Sequence, residues 1–198
     1  MFIQAFLVST GVVALAEIGD KTQLLALLLA VRFRKPVPIV LGILSATLAN
    51  HTLAGFVGGW LATSIGPAVM RWILGVSFIA MGLWTLVPDK IDDKPAEPAR
   101  FGAFLTTLTA FFLLEMGDKT QLATVALAAR YGTLLPVIAG TTCGMMLADV
   151  PAVLLGGVAT TKLPLRLVRA IAATIFIVMG VIVLLGHGLA LGPAPPEK

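Results

Sequence analysis

Residues 17–23 read EIGDKTQ and residues 115–121 read EMGDKTQ, one heptapeptide written twice with a single difference, 98 positions apart. The match extends well beyond the motif. At the same offset, without a gap, Arg32 meets Arg130, Pro38 meets Pro136, Gly42 meets Gly140, and Gly58 and Gly59 meet Gly156 and Gly157. Arg71 then meets Arg169, and Met81 and Gly82 meet Met179 and Gly180. The chain is an internal duplication.

Both charged motifs are embedded in apolar sequence. Apolar runs of span length lie at about residues 2–31, 37–63, 69–87, 101–129, 134–160 and 167–190, and a helix needs about 20 such residues to cross a bilayer. The 198 residues are 58% hydrophobic and 12% charged, with a mean hydropathy of +1.00. That is more apolar surface than one soluble core of this size could bury. A disordered chain is excluded by the lack of polar low-complexity tracts, a collagen-like one by the aperiodic glycines, and a disulfide scaffold by the single cysteine, Cys143. The first run has no positively charged segment before it and no small-residue cleavage site, so it is expected to stay as a span. The expected class is an all-α integral membrane protein with six transmembrane helices.

Residues 1–87 form the first three-helix repeat, 88–100 a polar linker, 101–190 the second repeat and 191–198 a short tail. Three spans per half is an odd number, so the second half must enter the membrane from the opposite side. The sequence therefore predicts two inverted three-helix repeats, an architecture that places a transport site near the midplane where the repeats meet. For orientation, Arg32, Arg34, Lys35, Lys90, Lys94, Arg100, Lys162, Arg166 and Arg169 fall on one face, against Arg71, Arg130 and Lys198 on the other. The positive-inside rule then puts the linker in the cytoplasm and both termini outside. The net charge of +4 and pI near 9.6 thus reflect topology. Because the basic residues never share one polar face, no nucleic-acid partner is expected.

Seven ionisable residues fall inside apolar runs: Glu17, Asp20, Lys21, Glu115, Asp118, Lys119 and Asp149. Each costs at least ~3 kcal/mol on insertion scales, so a function is the default expectation. At i, i+3 spacing Glu17 and Asp20 share a helix face, as do Glu115 and Asp118, and inverted symmetry lets the pairs converge. Four carboxylates meeting in a low-dielectric site repel one another unless a cation or protons neutralise them. Five acids and two lysines leave three negative charges; one divalent ion reduces that to one, and protons that replace the ion supply a coupling mechanism. Carboxylates with Thr22, Gln23, Thr120, Gln121 and the carbonyls near Gly19 and Gly117 form a hard oxygen set suited to Mg, Ca or Mn. Lys21 and Lys119 offer no lone pair and are charge balancers. Residues 2–31 would be about 45 Å long as one straight helix, against a core of about 30 Å. The run must tilt or break, and Gly19 and Gly117 are the natural places.

A purely structural alternative makes Glu17 with Lys21, and Glu115 with Lys119, buried ion pairs at i, i+4 that only lock helices together. It leaves Asp20 and Asp118 unpartnered, which is costly. In the repeat register His51 matches Asp149 and Asn50 matches Ala148, so Asn50, His51 and Asp149 are possible accessory groups. Met145, Met146 and Cys143 read as packing residues, and the glycines at 55, 58, 59, 156 and 157 as close helix contacts.

Two copies of E-x-G-D-K-T in a duplicated six-span chain resemble the TMEM165/GDT1 family, whose signature is E-x-G-D-[KR]-[TS]. Glu17, Gly19, Asp20, Lys21 and Thr22 match it, as do Glu115, Gly117, Asp118, Lys119 and Thr120. The resemblance covers essentially the whole chain. It implies a cation/proton exchanger that moves Mn2+, and in some members Ca2+, out of the cytoplasm. The compact form resembles the bacterial manganese exporters, which implies the inner (plasma) membrane. The metal and the protons are then the transported partners, with no resident cofactor, and the oligomeric state is left open. The competing functions are a passive divalent channel, which shares the carboxylates, and a membrane lipid-pyrophosphate phosphatase. The phosphatase should bring Arg and Ser to the site, whereas the arginines here read as span-end residues.

Overall fold

The computed structural model describes residues 2–87, 102–155 and 165–185. Eight helices form there: α1 (Phe2–Glu17), α2 (Lys21–Phe33), α3 (Pro36–Ser64), α4 (Pro67–Thr85), α5 (Ala103–Glu115), α6 (Lys119–Tyr131), α7 (Leu134–Leu155) and α8 (Leu165–Leu185). The linker 88–100, the glycines at 156 and 157 and the tail 191–198 lie outside the described residues.

The first and fourth apolar runs are each cut at their motif, so the described residues hold eight helices where hydropathy alone predicts six. Helices α3, α4, α7 and α8 are long and apolar enough to cross a membrane, and α1 with α2 makes a fifth span when the bent pair counts as one. Helix α5 is apolar but only 13 residues long. Local chemistry fixes the other boundaries. Arg34 (φ 50°) and Gly132 (φ 61°) end α2 and α6 in the left-handed region, which stops a helix with an amide returned to its last turn. Pro36 and Pro67 occupy first-turn positions of α3 and α4, where a missing amide costs nothing.

Each half packs chiefly on the other. Helix α1 lies along α7, and α5 lies along α3. A Cβ on Gly140 would meet the Phe6 carbonyl and Ser9, while one on Gly42 would meet the Phe104 carbonyl and Thr107. These are the same contacts displaced by the repeat offset, and the early residues of both helices meet, so each pair runs parallel. Helices α4 and α8 instead run antiparallel, with Gly82 against Ala173 and Ile177, and Gly180 against Gly75 and Ile79. Phe78 and Phe176, also counterparts, stack there at 6.4 Å. Small residues thus set the close helix contacts that hold bundles together where apolar burial gives little net gain.

Polarity is distributed for an apolar solvent. Phe2, Leu7, Phe56, Trp60, Trp72 and Leu135 are exposed, whereas Ser9, Thr47, Asn50, His51, Thr107 and Asp149 are fully buried.

Candidate metal-ion site

Gly19 and Gly117 adopt φ of 80° and 81°. Residues with a Cβ rarely take that conformation, and a helix cannot continue through it. Helix α1 therefore stops at Glu17 and the chain resumes as α2 at 70° to it. Each turn closes the same way, with the Asp20 amide donating to the Glu17 carbonyl at 2.9 Å and Asp118 to Glu115 at 3.0 Å. Two glutamines brace the turns. Gln23 Oε1 accepts from the Gly19 amide at 2.9 Å and Gln121 Oε1 from the Gly117 amide at 2.6 Å. Gln23 Nε2 also donates to the Ala148 carbonyl at 2.9 Å, tying α2 to α7.

The breaks change which residues face one another. Residues 18–20 and 116–118 are not helical, so the face shared at i, i+3 or i, i+4 in a continuous helix does not decide the contacts across them: Glu115 and Asp118 still converge, but through the turn. The ion pairs found among the described residues are not the i, i+4 pairs within one motif. Each lysine crosses to the other motif instead: Lys21 Nζ lies 2.8 Å from Asp118 Oδ1, and Lys119 Nζ pairs with Asp20 Oδ1. Asp20 and Asp118 start α2 and α6, yet neither side chain caps its own helix. The glutamates take hydroxyls: Thr22 Oγ1 donates to Glu17 Oε2 at 2.5 Å and Thr120 Oγ1 to Glu115 Oε2 at 3.0 Å.

One carboxylate oxygen from each of Glu17, Glu115 and Asp118 lies within 4.8 Å of the others, and all three residues are buried. Glu17 Oε1, Glu115 Oε1 and Asp118 Oδ2 are buried with no hydrogen-bond donor among the described residues. Asp149 is fully buried with neither oxygen hydrogen-bonded there. Acceptor oxygens gathered in this way call for positive charge beyond that of Lys21, of the kind a hard cation can supply.

Asn50 Nδ2 donates to the Phe112 carbonyl at 3.0 Å, joining α3 to α5. His51 is buried with neither ring nitrogen hydrogen-bonded among the described residues. Met145 is buried, Met146 packs on the apolar core, and Cys143 is outside the carboxylate group. One residue that reading by sequence misses is Arg169, counted there as a span-end charge. It lies inside α8, and its Nη2 donates to the Gly19 carbonyl at 2.9 Å. That carbonyl therefore already accepts from a guanidinium, which leaves it one further lone pair. The match of Arg71 with Arg169 at the repeat offset was the available signal.

The family described as "Divalent cation/proton antiporter GDT1" matches residues 5–93 and 103–190. A protein of Vibrio cholerae serotype O1 named "Putative manganese exporter" is 51% identical over 173 residues, covering 87% of this chain and 86% of that one. GDT1-like protein 5 of Arabidopsis thaliana is 29% identical over 90% of this chain and 94% of its own length. GDT1-like protein 3 of Oryza sativa subsp. indica is 28% identical over 87% and 71%. No solved structure matches. A transporter family accounts for the chain where an enzyme, the phosphatase included, does not. The duplicated acidic motif, the paired helix breaks and these matches together place this chain in the GDT1 family of divalent cation/proton antiporters.

Proposed function

We propose that this protein exports Mn2+ from the cytoplasm in exchange for protons, through one composite site built from both motifs. The observation that carries the proposal is the approach of Glu17, Glu115 and Asp118 to within 4.8 Å, because these oxygens come from both halves of the chain. Glu17, Asp20, Glu115 and Asp118 supply the charge, with Thr22 and Thr120 beside them. Gln23 and Gln121 contribute through the lone pair their glycine amides leave free, and Lys21 and Lys119 balance charge. Asp149 is the accessory acid. Asn50 and His51 serve the helix interface more than the ion. Five acids and two lysines leave three negative charges, so expelling a divalent ion from this dry site requires protons in its place. Manganese is preferred to calcium on the likeness to the Vibrio relative, since both ions accept oxygen donors.

The wider architecture belongs to the same proposal. Helices α1 with α2, and α5 with α6, each form one broken span, giving six spans in two inverted repeats, 1–87 and 101–190, joined by a cytoplasmic linker with both termini outside. The helix directions support this. That topology requires α1 parallel to α7, α3 parallel to α5 and α4 antiparallel to α8, and the packed residues run that way. The bacterial inner membrane is the proposed location.

Proteoliposomes carrying the pure protein test the function. An imposed pH gradient should drive Mn2+ accumulation, and Mn2+ addition should move protons the other way. Equal Mn2+ entry with and without the gradient would leave a passive channel in place of an exchanger.

A further inference from the structure

The two motifs match in sequence but not in surroundings. On one side, Gly19 is buried and its carbonyl accepts from Arg169; Lys119 and Asp20 in the adjoining ion pair have side-chain exposures of 5% and 0%. On the other, Gly117 and Met116 are exposed, and Lys21, paired with Asp118, keeps 24% of its side chain open. An ammonium left uncovered inside a membrane protein faces water, since facing hydrocarbon is costly. Packing carries the same asymmetry. Helix α8 packs on α1 and α4 packs on α6, yet the counterpart pairs, α4 with α5 and α8 with α2, touch at most marginally. The antiparallel α4–α8 pair therefore leans toward one combination of helices, although its own contacts are symmetric.

Arg71 is the repeat counterpart of Arg169, as Gly117 is of Gly19. Among the described residues no bond joins Arg71 to Gly117, and Arg71 Nε is buried without a hydrogen-bond partner. We propose that the Arg169 bond to the Gly19 carbonyl is a latch holding one side of the ion site closed. Arg71 and the Gly117 carbonyl form the matching latch when the α4–α8 pair leans the other way. The two arginines begin antiparallel helices and so lie toward opposite faces of the membrane. In the proposed orientation Arg169 closes the cytoplasmic side and Arg71 the outer side. The inference rests on the inverted-repeat reading, in which the two motifs exchange environments as the site changes face. Both arginines are positioning residues: they act on the glycine turns that carry Glu17, Asp20, Glu115 and Asp118.

Cysteine labelling with a membrane-impermeant maleimide tests this, using the full chain in a Cys143→Ala background with Ile18→Cys or Met116→Cys as reporters. These are counterpart positions beside the two glycines. In the otherwise unaltered protein, Met116→Cys should label from outside and Ile18→Cys should be protected in inside-out vesicles. Arg169→Ala should raise Ile18→Cys labelling from the cytoplasmic side by about tenfold or more, the shift expected from losing one charge-assisted hydrogen bond, and should slow labelling of Met116→Cys. Arg71→Ala should move both rates the opposite way. Arg169→Lys, which keeps a cationic donor, should return them toward the starting values, separating a latch from general loosening. If the alanine variants leave the rates unchanged or move them in the same direction, the latch is wrong while the repeats stand. If both reporters label from the same face in every background, the inverted reading falls and the latch with it.

Discussion

Glu17 and Glu115 sit at the C-terminal poles of α1 and α5, where the helix dipole disfavours a negative charge by about 0.3–1 kcal/mol. Asp20 and Asp118, one turn later, start the next helices, where the dipole favours it. The aspartates also hold the lysines, whereas the hydrogen bonds found at the glutamates among the described residues come from one threonine hydroxyl each. On the proposed function, the glutamates are thus the carboxylates best placed to exchange a metal for protons. Glu17→Gln and Glu115→Gln should each reduce Mn2+ transport to near background, measured as initial rates in proteoliposomes. Thr22→Val keeps the shape and removes the hydroxyl that orients Glu17. A hydrogen bond to a charged group is worth about 1.5–3 kcal/mol, so half-saturation for Mn2+ should rise about tenfold or more. An unchanged half-saturation would show that Thr22 does not orient the glutamate.

The helices depend on the duplicated glycines for two different reasons, which substitution separates. At Gly117 nothing lies within 4 Å of an added Cβ, so Gly117→Ala meets only the left-handed backbone, a cost of about 1–2 kcal/mol. At Gly140 the backbone is ordinary helix, but the added carbon would stand 2.5 Å from the Phe6 carbonyl, and overpacking of that kind costs about 1–3 kcal/mol and forces α1 from α7. Thermal unfolding in detergent should show Gly140→Ala lowering the midpoint more than Gly117→Ala. Transport should suffer more in Gly117→Ala, whose turn carries Glu115 and Asp118. The breaks themselves were legible in the chain, because a run of about 45 Å cannot stand straight in a core of about 30 Å and a glycine sits inside each motif. What they do to side-chain pairing was not. The i, i+4 rule assumes a continuous helix, so the purely structural alternative joined Lys21 to Glu17, whereas the bend sends Lys21 to Asp118. Arg169 was hidden for a similar reason: a charge near a span end reads as topology until its partner, a carbonyl 150 residues away, is known.

At the scale of the molecule, the offset of 98 announced two halves, but whether they build one site or two depends on how they pack. The carboxylates approach one another because each half lies on the other, α1 along α7 and α5 along α3, and that tertiary arrangement is not written in any local pattern. A single motif offers two carboxylates and a hydroxyl, fewer oxygens than the six or more a hard divalent ion takes. Each lysine also balances the acid of the opposite motif, so damage to one half disturbs the charge of the other. A composite site therefore predicts non-additive losses. Asp20→Asn and Asp118→Asn should each remove most Mn2+ transport, and the double variant should be little worse than either, because groups acting as a unit do not contribute independently. Two separate sites would leave each single variant with about half the activity and only the double variant inactive. Initial rates for the four proteins, normalised to the amount inserted, decide between them, and half-activity in both single variants would overturn the composite site.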